Sequence, residues 1–317
     1  MEIQQLRCFV AVADSGSFSS AAQLLSLTQP SLSQSVARLE AEFGAKLFHR
    51  SSKGTVLSEA GNVLVRQARN VLRAVDDTQE TVNALRGLDT GTLTIAPYIT
   101  FVTPVTKVVA AFRDLHPGVT IKLLPPSNTT GVHRNVESGA ADIGFALFND
   151  DIELRVTHDL LDITPVAVDE SVAFVPRDSP IGGSKDPITL KEVAQLPVIA
   201  PSRDHPMRIL LDRNFAAAGA TPRYGVECEH FETSVDLVAQ GLGTHITTRG
   251  AFPANPGPDV VVRPLTPARR WPVAMLRQAG DPSPASAAFS EVALKVFADE
   301  GADLHEAARL IEKMRAS

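Results

Sequence analysis

The chain has 317 residues, 44% hydrophobic and 21% charged, with a formal net charge of −6. That length holds two or three compact units with ample core, and this balance excludes a disordered or fibrous protein. No apolar run approaches a membrane span, and Met1-Glu2-Ile3-Gln4-Gln5 lacks the basic start and apolar core of a secretion signal. Two distant cysteines, Cys8 and Cys228, give neither a disulfide framework nor a zinc spacing, so a cytoplasmic location is expected.

The acidic total is unevenly spread. Residues 1–70 carry seven basic side chains against five acidic ones, and residues 1–90 carry nine against nine, so the whole −6 lies beyond residue 90. A weakly basic start ahead of an acidic remainder permits binding to DNA without requiring it.

Ile3, Leu6, Phe9, Val10 and Ala13 mark a first helix with one apolar face, closed by Asp14-Ser15-Gly16-Ser17. Cys8 lies in it and reads as a small core residue. A second helix runs from Phe18 to Leu25, and the turn Ser26-Leu27-Thr28 leads into a third. There Thr28 is a good N-cap, Pro30 sits in the first turn, where a missing N–H costs nothing, and Gly44 is the stop. Leu32, Val36, Leu39 and Phe43 recur on one face that should be buried. The opposite face carries Gln29, Ser33, Gln34, Ala37 and Arg38, small or uncharged except the last. Gln pairs with adenine, Ser with several bases, and Arg with guanine or phosphate, so such a face can lie against base edges. A plain solvated face would more often carry Glu and Lys, as Glu40 and Glu42 do. Helix, short turn, helix with the polar face on the second is the sequence form of a helix-turn-helix.

Lys46-Leu47-Phe48-His49-Arg50 and Thr55-Val56-Leu57 then read as two short strands joined by Ser51-Ser52-Lys53-Gly54. This is a wing, whose Arg50 and Lys53 can meet phosphates or a narrow minor groove; the alternative is a solvated turn. Ser58 caps a long helix predicted to run to about Leu88. Leu64, Ala68, Val71, Val75, Thr78, Val82 and Leu85 are spaced 4-3-4-3-4-3, a heptad seam. With no second seam nearby in the chain, the expected partner is the same helix of another subunit, which suits a DNA site with two half-sites. The alternative is packing on the chain's own domains.

Gln5-Leu6-Arg7-Cys8-Phe9-Val10-Ala11-Val12-Ala13, Gly16-Ser17-Phe18, Ala21-Ala22, Gln29-Pro30-Ser31-Leu32-Ser33, Leu39-Glu40, Gly44, Leu47-Phe48 and Leu57-Ser58-Glu59-Ala60-Gly61 together resemble the amino-terminal domain of a LysR-type transcriptional regulator. The resemblance runs through residues 1–90 almost without gaps. It continues more loosely in Gly91-Thr92-Leu93-Thr94-Ile95, Ala111-Phe112-Arg113 before His116-Pro117, Gly139-Ala140-Ala141-Asp142-Ile143-Gly144 and Val238-Ala239-Gln240-Gly241-Leu242-Gly243.

The resemblance implies an all-α winged helix-turn-helix (1–58), a linker and dimerisation helix (59–90), and an α/β effector-binding region (91–300) similar to type 2 periplasmic binding proteins. Its subdomain I would comprise 91–162 and 268–300, subdomain II 163–267, with a carboxy-terminal extension at 301–317. Gln29, Pro30, Ser31, Ser33, Gln34 and Arg38 would serve the major groove, Ser19 and Ser20 backbone phosphate, and Arg50 and Lys53 the wing. Such proteins bind interrupted palindromes as dimers of dimers, so the implied partners are double-stranded DNA, further copies of the chain in a homotetramer, and RNA polymerase, with no membrane.

Beyond residue 91, strands alternate with helices and predict a parallel α/β sheet. The predicted order is strand Thr92–Ala96, helix Thr103–Leu115, strands Val119–Leu124 and Ile143–Leu147 about a helix Val132–Ser138, then Val172–Val175 onward for the second subdomain. Strand Val273–Leu276 and helix Ser286–Ala298 return to the first. Ligands of such folds sit at carboxyl ends of strands and against helix N-termini. Thr100 and Thr103 follow the first strand, Thr129 the second, and Ser202 follows Val198–Ala200; Phe148 and Phe231 can wall a cleft, and His245 can supply a titratable donor. Taken singly, each is more often a cap or a core residue. Together the hydroxyls point to a small anionic effector, such as a carboxylate. The position of Thr100 often bears Ser or Thr in the resembling family, whereas Pro126 and Asn128 depart from the Glu-Gly common there.

No cofactor is expected beyond that effector, and no catalytic or metal-binding residue. The chain has no Gly-x-Ser-x-Gly elbow, no phosphate loop and no complete dinucleotide fingerprint, since Gly241-Leu242-Gly243 lacks the third glycine. His305-Glu306 is not followed by a second His at helical spacing, and Cys228 with His230 makes only two ligands. A free-standing solute-binding protein would need a secretion signal and no DNA-reading domain. The sequence is equally compatible with a regulator answering only to protein partners.

Overall fold

Residues 1–51, 54–85, 91–148, 160–251 and 256–316 are described by a computed structural model of the chain. The amino-terminal unit begins with α1 (Ile3–Ser15), α2 (Phe18–Leu24) and α3 (Gln29–Phe43). Local chemistry sets each boundary. Glu2 and Gln5 form a capping box on α1, Gly16 ends it in the left-handed region at φ 63°, and Ser17 caps α2 by accepting from the Ser20 N–H. Thr28 caps α3 through the Ser31 N–H, and Gly44 stops it at φ 64°. Leu6, Phe9, Val12, Ala21, Leu32, Val36 and Leu39 are all but fully buried where the three helices meet. Cys8 is fully buried too, and burial raises its thiol pKa, which suits a packing residue. Phe43, expected on the same buried face, is 48% exposed: the last turn of α3 has run past the core.

β1 (Phe48–Ser51) and β2 (Gly54–Leu57) pair antiparallel, with Arg50 opposite Thr55, and the Thr55 N–H donates to the Gly16 carbonyl. The Phe48 ring packs 5.3 Å from Phe9 and 5.6 Å from Phe18, fixing this wing to the helices. Lys53 lies outside the described residues.

Ser58 then caps α4 (Glu59–Leu85), its hydroxyl accepting from the Gly61 N–H at 3.0 Å. At 1.5 Å per residue this helix is about 40 Å long. Its first turns belong to the amino-terminal core, which takes Leu64, Val65, Ala68 and Leu72. The seam therefore divides: Leu64 and Ala68 pack within the chain's own domain, whereas Val71, Val75 and Val82 stay 38–40% exposed. Another face of α4 meets the effector region, through Arg66–Glu137 at 3.4 Å and Arg73–Asp142 at 3.2 Å.

The remaining strands are β3 (Gly91–Ala96), β4 (Val119–Leu123), β5 (Ile143–Leu147), β6 (Leu161–Pro176), β7 (Pro197–Ala200), β8 (Arg223–Glu227), β9 (Thr244–Thr248), β10 (Val260–Pro264) and β11 (Arg270–Gln278). Their order is β4-β3-β5-β11-β6-β9-β7-β8, with β10 also on β6. The sheet is mixed rather than parallel. β3 lies parallel to β4 and β5, and β7 to β8 and β9, but β11 and β6 run antiparallel to their partners. The helices are α5 (Val102–Leu115), α6 (Thr129–Glu137), α7 (Leu190–Val193), α8 (Pro206–Ala217), α9 (Phe231–Ala239), α10 (Pro284–Asp299) and α11 (Leu304–Ala316).

β6 joins the two halves. Residues up to Glu170 pair with β11 in the first subdomain, and those from Ser171 pair with β9 and β10 in the second. The passage thus falls at Glu170–Ser171, not after residue 162, and the strand begins eleven residues before Val172. Pro165 masks that strand in the sequence; its missing N–H is accommodated where the register with β11 shifts between Val273 and Ala274. The extra residues past 300 form α11, which packs on β6 and β11 and buries Ala307 and Ile311. Among the described residues no helix is long and apolar enough to cross a membrane.

Candidate DNA-reading surface and effector cavity

On α3 the core takes Leu32, Val36 and Leu39, which turns Gln29, Pro30, Ser31, Gln34, Ala37 and Arg38 outward and exposed; Ser33 is half-buried. Ser19 and Ser20, at the start of α2, are exposed beside this face, and the Ser19 hydroxyl donates to Gln29 Oε1 at 3.2 Å. The two helices thus offer one continuous polar surface with a single cation, Arg38, among its α3 members. Its donors and acceptors are amides and hydroxyls, the groups that discriminate base edges without demanding a phosphate. The Arg50 backbone sits in β1, toward the wing tip.

A second feature is a cavity of about 510 Å³ between the two halves of the effector region. Its first-subdomain wall includes Ile99, Thr100 and Trp271; its second-subdomain wall includes Ser171, at the crossing within β6, and His245, Thr247 and Thr248 of β9. Thr100 is 6% exposed and shares a 2.9 Å hydrogen bond with Thr248, hydroxyl to hydroxyl, across the subdomain boundary. Phe231 opens α9 and sets its ring edge-on to His245, centroids 5.6 Å apart. His245 is 7% exposed, with Nδ1 3.0 Å from the Ile199 carbonyl oxygen. Burial lowers the imidazole pKa, and the Ile199 hydrogen bond opposes that only in part.

Thr100, Phe231 and His245 therefore line one cavity from its two sides, and four other expected contacts do not reach it. Thr129 is buried in the first turn of α6, where its hydroxyl donates to the Leu147 carbonyl and pins that helix to β5. Phe148 is fully buried, with its ring 5.5 Å from His133: a strand-end position does not tell which way the side chain points, and here it points into the core. Thr103 is the second residue of α5, one turn away from the wall. Ser202 donates to Glu229 Oε1 at 2.6 Å, and of the two only Glu229 lines the cavity.

Sequence reasoning missed Thr247, Thr248, Ser171, Asp169 and the inner face of α8. One signal was available: Thr244-His245-Ile246-Thr247-Thr248 is polar at four of five places in a strand that is almost wholly buried. Asp169 lies behind the hydroxyls, 4% exposed, with Oδ1 accepting from the Gly250 N–H at 3.0 Å and the Glu170 N–H at 2.9 Å. Burial raises its pKa, against the hydrogen bonds from the Gly250 and Glu170 N–H groups.

Comparison with known proteins finds two family models on the chain. Residues 3–62 match the bacterial regulatory helix-turn-helix protein of the lysR family, and residues 86–298 the LysR substrate binding domain. The probable RuBisCO transcriptional regulator of Cyanophora paradoxa is 32% identical over 79% of this chain and 77% of its own. A full-length OxyR from Pseudomonas aeruginosa, a cysteine-to-aspartate variant, superposes with a TM-score of 0.71 at 21% identity, covering 94% of each chain. Full-length CbnR complexed with its target DNA gives 0.53 at 22% identity, covering 94% of this chain and all of the other. With both halves matched, the chain belongs to the LysR-type family of DNA-binding transcriptional regulators, with an effector-binding domain and no enzymatic role.

Proposed function

We propose that two copies join through α4 and read the two halves of an interrupted palindrome with α3 and the wing, and that two such dimers act together on one promoter. The observation that carries this is the row Val71, Val75 and Val82, exposed on a helix whose first turns are already packed. Apolar positions repeated at heptad spacing and left open to water need a partner, and an identical helix supplies the matching seam. Residues 1–58 would then read the duplex, 59–90 join the copies, 91–300 sense the effector, and 301–317 cover the first subdomain's sheet. DNA is met in the cytoplasm, and RNA polymerase is the partner through which occupancy changes transcription.

The cavity is where we place the effector. Its two walls belong to different halves, so a ligand touching both favours the closed arrangement about β6 and the 265–270 segment by its differential affinity. Lys191 and Arg269 are the exposed cations on the wall, and an anionic effector such as a carboxylate has its charge met there. Titration of the full-length chain with small carboxylic acids, followed by the fluorescence of Trp271 at the cavity wall, tests the sensing role. A change on addition that Thr100→Val weakens is expected; an identical response in the variant would place the effector elsewhere.

A further inference from the structure

The cavity does not stop at the hydroxyl cluster. Met207, Leu210, Leu211, Asn214, Ala217 and Ala218 all line it, at spacings of 3, 1, 3, 3 and 1. That is one face of α8 followed from end to end, about 16 Å of helix at 1.5 Å per residue. Only Asn214 on this face is polar. A compact acid filling the hydroxyl end would leave this apolar length against water.

The chemistry of the two ends differs. At the inner end, the Ile199 carbonyl can only accept, so the His245 Nδ1 that meets it at 3.0 Å carries the proton. The buried ring is neutral, and Nε2 is left as a bare acceptor with no hydrogen-bond partner. Asp169 Oδ2, behind Thr248, is likewise buried without a partner, so the buried groups of this end are lone pairs and a carboxylate, while Arg269, the cation next to Ser171, is exposed to water and already hydrated. An anionic group placed there would lose its hydration and face Asp169. At the outer end stands Lys191, exposed, with its Nζ close to Gly219 just past α8.

We infer that the effector is an elongated, mostly apolar molecule lying along α8, with a neutral hydroxyl or amine donor toward His245 Nε2 and its acid group beside Lys191. This rests on the effector reading of the cavity and narrows it: the ligand class is a hydroxylated acyl or aryl-alkyl acid, not a compact carboxylate. The unsatisfied Nε2 supplies polar selectivity, because a ligand lacking the donor leaves a buried acceptor unpaired. The α8 face supplies most of the affinity through burial of apolar surface.

The test is calorimetry on the full-length protein with three probes: acetate, decanoate and 10-hydroxydecanoate. Decanoate is expected to bind at least 100-fold more tightly than acetate, and the terminal hydroxyl to add a further five- to tenfold. His245→Phe should abolish the hydroxyl preference while keeping decanoate binding. Ala218→Phe, which narrows the outer end, should weaken both long probes at least tenfold, and Lys191→Ala should weaken both by several-fold. Acetate binding as tightly as decanoate would overturn the elongated ligand while leaving the effector cavity standing. An unchanged hydroxyl preference in His245→Phe would overturn the assignment of the inner end. Binding of none of the three would overturn the inference outright, and retained preference for a promoter fragment in the same preparation would show that the DNA-reading role had not fallen with it.

Discussion

The outward residues of α3 come from one fifteen-residue helix, whereas the cavity wall is drawn from segments spread between Ile99 and Trp271. The first surface is convex, wet and made of amides and hydroxyls that keep their water until a duplex arrives. The second is concave and mostly apolar, and the polar groups of its hydroxyl end, Thr100, His245, Thr247 and Thr248, are already desolvated, with their hydrogen bonds paired or orphaned. Removing an outward side chain from α3 should therefore delete a contact with DNA and little else. Removing one from the cavity also disturbs the groups that share its burial, so the two regions should answer mutation and pH differently.

The largest effect is expected in acid, and it comes from the core of the effector region, not from α3. Burial lowers the pKa of His133, on α6 in the first subdomain, from 6.5 to about 4. The unfolded chain then binds the proton more readily than the folded one, so stability is full above the unfolded value and falls as pH drops from 6.5 toward 4. The loss reaches about 3 kcal/mol by linkage. Denaturation followed by Trp271, the chain's one tryptophan, should show this steepening in the wild type, and His133→Leu should flatten it. An unchanged pH profile in that variant would remove His133 from the account.

Next in size, Gln34→Ala should cost about 1–3 kcal/mol at a cognate site and relax preference there, with random duplex barely affected. Fluorescence anisotropy on matched and random duplexes measures both; equal losses on the two would make Gln34 a general contact instead of a reader. Thr100→Val should weaken effector binding by about 1 kcal/mol, the worth of a typical hydrogen bond, with DNA affinity in the absence of ligand unchanged. Lys53→Ala should have the smallest effect at fixed salt, lowering affinity for all duplexes alike and reducing the slope of log affinity against log salt by about one. A sequence-selective loss there would blur the division between positioning and reading.

These differences also explain what was legible in the sequence. In α3 every signal is local: the cap at Thr28, the stop at Gly44 and the apolar spacing lie within seventeen residues, and only Phe43 was misplaced, where the helix outlasts its core. In the effector region the deciding facts are non-local. Thr129 and Phe148 sit at strand and helix ends as expected, yet the direction of each side chain depends on a partner, the Leu147 carbonyl or His133, that no spacing rule reveals. The first part of β6 is hard to see in the sequence because Pro165 breaks its pattern, and the bulge that rescues it exists only once β11 is alongside. The heptad of α4 was read from its spacing, but not that its first two positions serve the chain's own domain.

The most direct test of the paired reader is sedimentation of the wild type and Val75→Asp, with and without a labelled promoter fragment and an equal mass of random duplex. A buried charge in the seam should leave Val75→Asp a single chain that binds both duplexes weakly and alike, while the wild type sediments as a dimer or larger and prefers the promoter. A variant that stays associated and keeps its preference would contradict the role given to α4, and with it the claim that two copies of α3 read DNA together.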